Sequence, residues 1–314
     1  MKYSEIALKV LAAKECGIIK SNAQFWNDFS DKEQFEKEVS KNNKVLDMMD
    51  MISSKLNSPE DGIKMVCIFD NSFPIINRKV KNDGEKPYLL FYKGNLSLLG
   101  NLNKNVAVIG LKDPDKKTIK RGEDIVRDLV ENDLVIVSGL ALGCDEMAHK
   151  ACLESNGKTI ATLPSQLYKI HPAQNRGLAE EIVNKGGLLI SEYYKDAISK
   201  NETINRFVER DRLQAMFSKA VILIASYRKG EGDSGSRHAM EAARKYEIKR
   251  YVMYNSKTDR DNKQFGLNRD LVDNEDMGQV KILQTSSIDH IKSLENPNLS
   301  LKTGSYIGEQ LTIL

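Results

Sequence analysis

The rhythm of apolar and polar positions changes near residue 60. Before it, Ile6, Leu8, Val10 and Leu11 form one apolar run, and Phe25, Trp26 and Phe29 follow the Ser21-Asn22 break. Ser30 is placed to cap the next helix, with Glu33 completing a capping box, and apolar positions continue through Phe35 and Val39. A break at Asn42-Asn43 separates a further stretch, Val45 to Ile52, and Asn57-Ser58-Pro59 closes the region. Residues 1–60 are therefore expected to form a small helical region. From Lys64 the pattern becomes short, continuously apolar runs alternating with amphipathic stretches. Strands are expected at Met65–Phe69, Val106–Gly110, Leu134–Val137, Thr159–Leu163, Leu188–Ile190, Val221–Ala225 and Arg250–Tyr254. Helices are expected near 119–132, around Met147 to Ala151, at 178–185, at 237–246 and at 288–294. Strands that are apolar on both faces and separated by helices indicate a doubly wound, mainly parallel α/β sheet. Residues 61–291 are assigned to that domain and 292–314 to a tail ending in the apolar run Leu311–Leu314, which would either pair with a sheet edge or a partner or stay disordered.

Composition adds little until its distribution is considered. The 314 residues are 40% hydrophobic and 29% charged, with a formal net charge of +3. Between Lys195 and Arg260, however, 15 Lys/Arg stand against 9 Asp/Glu, whereas Asp28 to Asp61 holds 5 Lys against 9 Asp/Glu. That asymmetry is compatible with a polyanion-binding face and equally with a solvated helical surface. Cys16, Cys67, Cys144 and Cys152 form no C-x-x-C pair, and Cys144, His149 and Cys152 match no zinc spacing, so no metal is expected. With no signal peptide and no membrane-length apolar run, a reduced cytoplasmic protein is expected.

Candidate chemistry gathers where strands end. Gly110-Leu111-Lys112 follows one strand, Ser138-Gly139-Leu140-Ala141-Leu142-Gly143-Cys144-Asp145 another, and the loop ending Asp233-Ser234-Gly235-Ser236-Arg237-His238 a third. Ligands of open parallel sheets bind beyond the carboxyl ends of the strands, and glycine-rich turns into helices present N–H groups to phosphates. Three such loops on one edge favour an anion site. The G-x-G-x-x-G and G-x-x-x-x-G-K-[ST] fingerprints and the G-x-S-x-G elbow are missing, which disfavours a NAD enzyme, a P-loop ATPase and a serine hydrolase.

Taken in order, these segments carry a specific resemblance. Lys93-Gly94-Asn95, Val106 to Lys112, Ser138-Gly139-Leu140-Ala141-x-Gly143-x-Asp145 with His149, and Gly157-Lys158-Thr159-Ile160-Ala161 are followed by His171-Pro172 and Asn175. Ser191-Glu192-Tyr193, Phe207-x-x-Arg210-Asp211-Arg212, Ser234-Gly235-Ser236 and Gly266-x-Asn268 with Leu271 complete the series. The chain resembles the DprA/Smf family from about Lys64 to Ile291. The resemblance implies a Rossmann-like homodimer without a cofactor or catalytic turnover. It implies single-stranded DNA held by its phosphates and a RecA-type recombinase as partner during DNA uptake. Carried over by position, Gly110, Lys112, Ser138, Gly139, Arg210, Arg212, Ser234, Gly235, Ser236 and Arg237 are the implied phosphate-binding residues. Lys112 stands where the family places arginine, and Asp211 where it places asparagine, so the bidentate fork is lost at one position and a negative charge is gained at the other.

Other residues have plainer readings. Asp145 is placed to cap the helix beginning at Gly143-Cys144, and His149, four residues on, is within reach of Asp145. Arg210 and Arg212, alternating after an aromatic, suggest a backbone-binding face on a strand-like segment, or else a pair bonded to Glu209, Asp211 or Glu192. His238 with Glu241 is the most enzyme-like pair and carries the alternative: a nucleotide sensor or nucleoside-monophosphate-processing enzyme, in phage or mobile-element defence. A third reading makes Trp26 and the N-terminal helices an interaction module.

Overall fold

The computed structural model describes residues 2–56, 62–100, 104–232, 235–273 and 280–294. Four helices come first: α1 (Glu5–Glu15), α2 (Asn22–Asp28), α3 (Lys32–Val39) and α4 (Asn43–Leu56). Ser4 and Ser21 cap the first two, each accepting from the N–H three residues on. Asp31 rather than Ser30 caps α3, its carboxylate accepting from Gln34 N at 2.8 Å. A charged acceptor at the positive end of the helix wins over the neighbouring hydroxyl.

Nine strands form one sheet in the order β1-β2-β6-β5-β4-β3-β7-β8-β9. They are β1 (Lys64–Cys67), β2 (Leu89–Gly94), β3 (Asn105–Ile109), β4 (Val135–Ser138), β5 (Thr159–Leu163), β6 (Leu188–Ser191), β7 (Ala220–Leu223), β8 (Lys249–Val252) and β9 (Val280–Ile282). β1 and β2 pair antiparallel, β2 joins β6 antiparallel, and every pairing from β6 through to β9 is parallel. The crossovers are α5 (Lys116–Glu131), α6 (Cys144–Glu154), α7 (Arg176–Asn184), α8 (Lys200–Met216), α9 (Ser236–Lys245) and α10 (Gly266–Asp273), and α11 (Thr285–Ser293) follows β9. This is the expected doubly wound arrangement. Two of its strands were not expected: β9 is only three residues long, whereas β2 falls on the apolar run Tyr88–Tyr92, a signal the pattern carried and the assignment missed. The larger departure is α8, a 17-residue helix where a strand-like segment was expected for Arg210 and Arg212. Its buried face includes Arg206, Arg210, Asp211 and Gln214, so the apolar stripe that marks a helix is interrupted by charge.

The core has two parts. One runs under α5, α6, α8 and α9 on β3, β4 and β7. The other joins the N-terminal helices to the opposite face, through Phe25, Phe35 and Tyr88 with Phe91, Leu163 and Leu189. Phe25 stacks on Tyr88 with centroids 4.2 Å apart, and Trp26 Nε1 donates to Lys86 O at 3.0 Å. The helical region is thus packed onto the sheet rather than tethered to it. Among the described residues no helix is long and apolar enough to cross a membrane.

Because that aromatic cluster bridges both regions, Phe25→Ala should cost about 3–5 kcal/mol, the range for a buried phenylalanine. Urea unfolding followed by Trp26 fluorescence and by far-ultraviolet circular dichroism should give coincident transitions. An earlier loss of the Trp26 signal in the parent would mean that the helices unfold on their own.

Candidate nucleic-acid interface

From β3 the chain winds through β4, β5 and β6 to one side, then returns to place β7 and β8 on the other. The order reverses at β3, and the loops leaving β3, β4, β5 and β7 open onto the crevice where such sheets bind ligands.

The β4 loop is held from all sides. Gly139 N–H donates to Asp145 Oδ2 at 3.2 Å, while Gly139 O accepts from Arg210 Nη1 at 2.6 Å. Arg210 Nη1 also donates to Thr162 O at 3.0 Å, joining the ends of β4 and β5. A side chain at Gly139 would put Cβ 1.7 Å from Arg210 Nη1, so only glycine fits. Leu140 follows with φ 58° and no exposure, a left-handed conformation costing about 1–3 kcal/mol outside glycine. It persists because Asn175 Nδ2 donates to Leu140 O at 3.0 Å and Ala141 O at 3.3 Å. Gly143, at φ +78°, lets the β3 loop close over it: a Cβ there would lie 2.4 Å from Leu111 O.

Charge is concentrated beneath this frame. Arg210, only 4% exposed, lies beside Asp211 with Nε 3.3 Å from Oδ1. Burial lifts the Asp145 carboxyl above its usual range, against the pull of Arg210. Asp211 is pushed up to about 7, chiefly by burial, with Arg210 and Lys112 opposing and Asp145 adding to the rise. Above the buried group, exposed Lys112 places its ammonium 5.9 Å from the centroid of half-buried Phe207, whose edge also meets His171 at 5.3 Å. Burial and then the charges of Lys112 and Arg210 hold the His171 imidazole below its usual value.

The expected site residues thus fall into distinct positions. Lys112, Gly139 and Gly235 gather around the buried Arg210–Asp211 pair at the strand ends; a Cβ on Gly235 would lie 3.0 Å from Asp211 Oδ2. Ser138 is buried and donates to Val108 O at 2.6 Å, and Ser236 Oγ donates to Gly110 O at 2.9 Å, so both hydroxyls serve the frame. Arg237 is half-buried in the first turn of α9. Ser234 lies outside the described residues. Arg212 does not share a face with Arg210, since two residues on a helix are about 200° apart. It makes a bidentate pair with Glu192 at 2.7 and 2.8 Å and donates to Glu85 O at 2.7 Å. Arg212, Glu192, His238 and Glu241 line a different groove of ≈ 890 Å³ between the N-terminal helices and α8–α9. Glu241 there is bonded to Arg244 at 2.7 Å. His149 bonds Thr159 Oγ1 at 2.7 Å rather than Asp145, and burial holds it down to about 3, as a neutral core group. Asp145 organises the Gly139 loop from the first turn of α6 instead of capping it, because Gly143 occupies the cap. Phe207 and His171 were visible in the motifs but not as site residues; an aromatic three residues before Arg210 was the available signal.

Residues 64–278 match the family of DNA recombination-mediator protein A, two thirds of the chain. The chain belongs to that family. It is 38% identical over 160 residues to DNA processing protein DprA of Streptococcus pneumoniae, covering 51% of this chain and 54% of that protein. It is 30% identical over 160 residues to protein Smf of Borreliella burgdorferi, covering 51% and 48%. The match therefore spans about half the length of these curated relatives. The solved structure of the S. pneumoniae protein superposes with TM-score 0.68 at 26% identity, covering 92% of this chain and 98% of that one. DNA processing protein A from Helicobacter pylori, whose structure concerns its single-stranded DNA binding mode, gives TM-score 0.57 at 28% identity over 72% of this chain and 95% of that chain.

Within this family framework Asp211 should give the chain a distinctive acid–base response. Its carboxyl ionises near 3.8 when unfolded and near 7 when folded, so the folded state holds the proton more tightly. The stabilisation is complete below pH ~4, declines as pH rises toward ~7 and is gone above that. Thermal melts of Asp211→Asn should lack this decline, and the variant's melting temperature should gain on the parent's between pH 5 and 7. Parallel profiles for the two proteins would contradict the assignment.

Proposed function

We propose that the chain binds single-stranded DNA by its phosphates at the loops after β3, β4, β5 and β7, and acts in the cytoplasm as a homodimeric recombination mediator that passes the strand to a RecA-type recombinase. The observation that carries this reading is the pairing of exposed Lys112 with half-buried Phe207 over a rigid loop frame at the sheet's switch point. An ammonium supplies attraction for a phosphate, and an aromatic ring beside it offers a stacking surface for the attached base. Gly235 and Arg237 stand at the start of α9, whose positive end would favour a phosphate there. Arg210 supports the reading indirectly: with two carbonyls on one nitrogen and a carboxylate beside it, it shapes the loop that the strand would meet. The family's role as recombination mediators supports the recombinase as partner.

Contacts to phosphate with little base readout predict weak sequence preference and steep salt dependence, with the logarithmic slope about −0.7 per phosphate contacted. Fluorescence anisotropy with labelled oligo-dT should show binding that exceeds binding to duplex and weakens as salt rises. Lys112→Glu should weaken that binding at least about tenfold, equivalent to about 1.4 kcal/mol, without lowering the melting temperature. Arg210→Ala should lose binding and stability together, by about 3–5 kcal/mol, because it strands Asp145 and Asp211 in the interior. Undiminished binding by folded Lys112→Glu would remove the crevice from the account.

A further inference from the structure

The strand-end face carries more positive charge than the crevice at β3 employs. Three loops are latched side by side there. Asp115 N–H donates to Gln264 Oε1 at 3.1 Å, and Arg121 makes a bidentate pair with Asp259 at 2.9 and 2.9 Å. Tyr227 Oη meets Asp113 Oδ2 at 3.5 Å, and a Cβ on Gly266 would lie 2.9 Å from Arg228 Cγ. The start of α5, the loop after β7 and the loop between β8 and α10 are thereby one continuous surface, adjoining Lys112.

Lys116, Lys117, Lys229, Lys257, Arg260 and Lys263 are all exposed on it. None of the six has an ion-pair partner among the described residues. Two acids nearby are already paired with cations, Asp259 with Arg121 and Asp270 with Arg228. Asp113, Asp115, Glu231 and Asp261 have no cationic partner, so unpaired cations outnumber unpaired carboxylates six to four among the described residues of these loops. A solvated surface would mix the two signs, as α5 itself does one turn further on. There Lys120 meets Asp124 at 3.2 Å and Arg127 meets the same carboxylate at 2.9 Å. Pairing stops where the helix reaches the strand-end face.

We propose that a single DNA strand leaving the Lys112 crevice continues across the ends of β3, β7 and β8, with its phosphates facing Lys116, Lys117, Lys257 and Lys263. This track rests on the DNA reading above and extends it by several nucleotides in a stated direction. On the scale of an OB-fold domain, which covers about 4–16 nucleotides, a short oligonucleotide can fill the crevice alone while a longer one must follow the track. The track neutralises phosphates by charge alone, so it adds affinity and salt dependence without sequence preference.

The test uses anisotropy of labelled oligo-dT of about six and about twenty nucleotides, across a salt series, for the parent and for Lys257→Glu/Lys263→Glu. These side chains are exposed, and equal melting temperatures establish that the variant is folded. For the longer strand the double variant should bind at least about tenfold more weakly, with a salt slope shallower by about 1.4, from two lost contacts at about 0.7 each. For the shorter strand its loss should stay below about twofold. Parent and variant binding the longer strand with equal affinity and slope, while both bind the shorter one, would overturn the track and leave the crevice standing. A parent that binds neither length overturns the DNA reading and the track with it.

Discussion

Everything at the crevice depends on one buried cation. Arg210 reaches from α8 to the carbonyls that end β4 and β5, and it does so from inside a set of carboxylates that no water can screen. A guanidinium removed from water is tolerated only when its charge is balanced and its donors are used. Asp145 and Asp211 supply the balance, and the peptide carbonyls take Nη1, while Nε faces Asp211 Oδ1 at 3.3 Å without a hydrogen bond. The cost of burying this group is offset by what it holds: a glycine with no room for a side chain and a leucine in a left-handed conformation. A loop built this way does not reorganise on meeting an anion, which is the property a phosphate site needs.

The same arrangement divides labour between buried and exposed charge. Arg210 and Arg212 spend their donors on the protein, whereas Lys112 and the lysines beyond it stand in solvent. A lysine at the crevice is a mobile point charge rather than a fork, suited to following a flexible backbone more than to clamping one phosphate. Asp211, beneath it, ties the charge of the interior to pH in a way an asparagine could not.

Much of this was legible from the residue pattern, and the parts that were not share a cause. β3 to β7 announce themselves because a strand covered on both faces is mostly apolar, as Val106 to Ile109 and Val135 to Val137 are. The glycine-rich loops at strand ends lie together on one edge of the sheet, as their sequence positions implied. α8 was hidden because its inward face is written in Arg206, Arg210, Asp211 and Gln214, a polar set that reads as surface until each partner is in place. Pairing of charges across the fold, Arg212 with Glu192 or Arg121 with Asp259, depends on residues 20 and 138 positions apart. No local period records such distances. β9, three residues long, is set by its neighbour β8 rather than by its own composition. Ser30 lost the cap of α3 to Asp31 for a local reason, since both residues are acceptable caps and one step decides between them.

The central claim is that single-stranded DNA is held at the strand-end loops. Amide hydrogen exchange with and without saturating oligo-dT tests it most directly. Slowed exchange is predicted in residues 110–117, 139–143, 164–175 and 235–238, with α1, α2 and α4 unchanged. Protection confined to the groove between the N-terminal helices and α8–α9, or no protection at all under saturating conditions, would contradict the account.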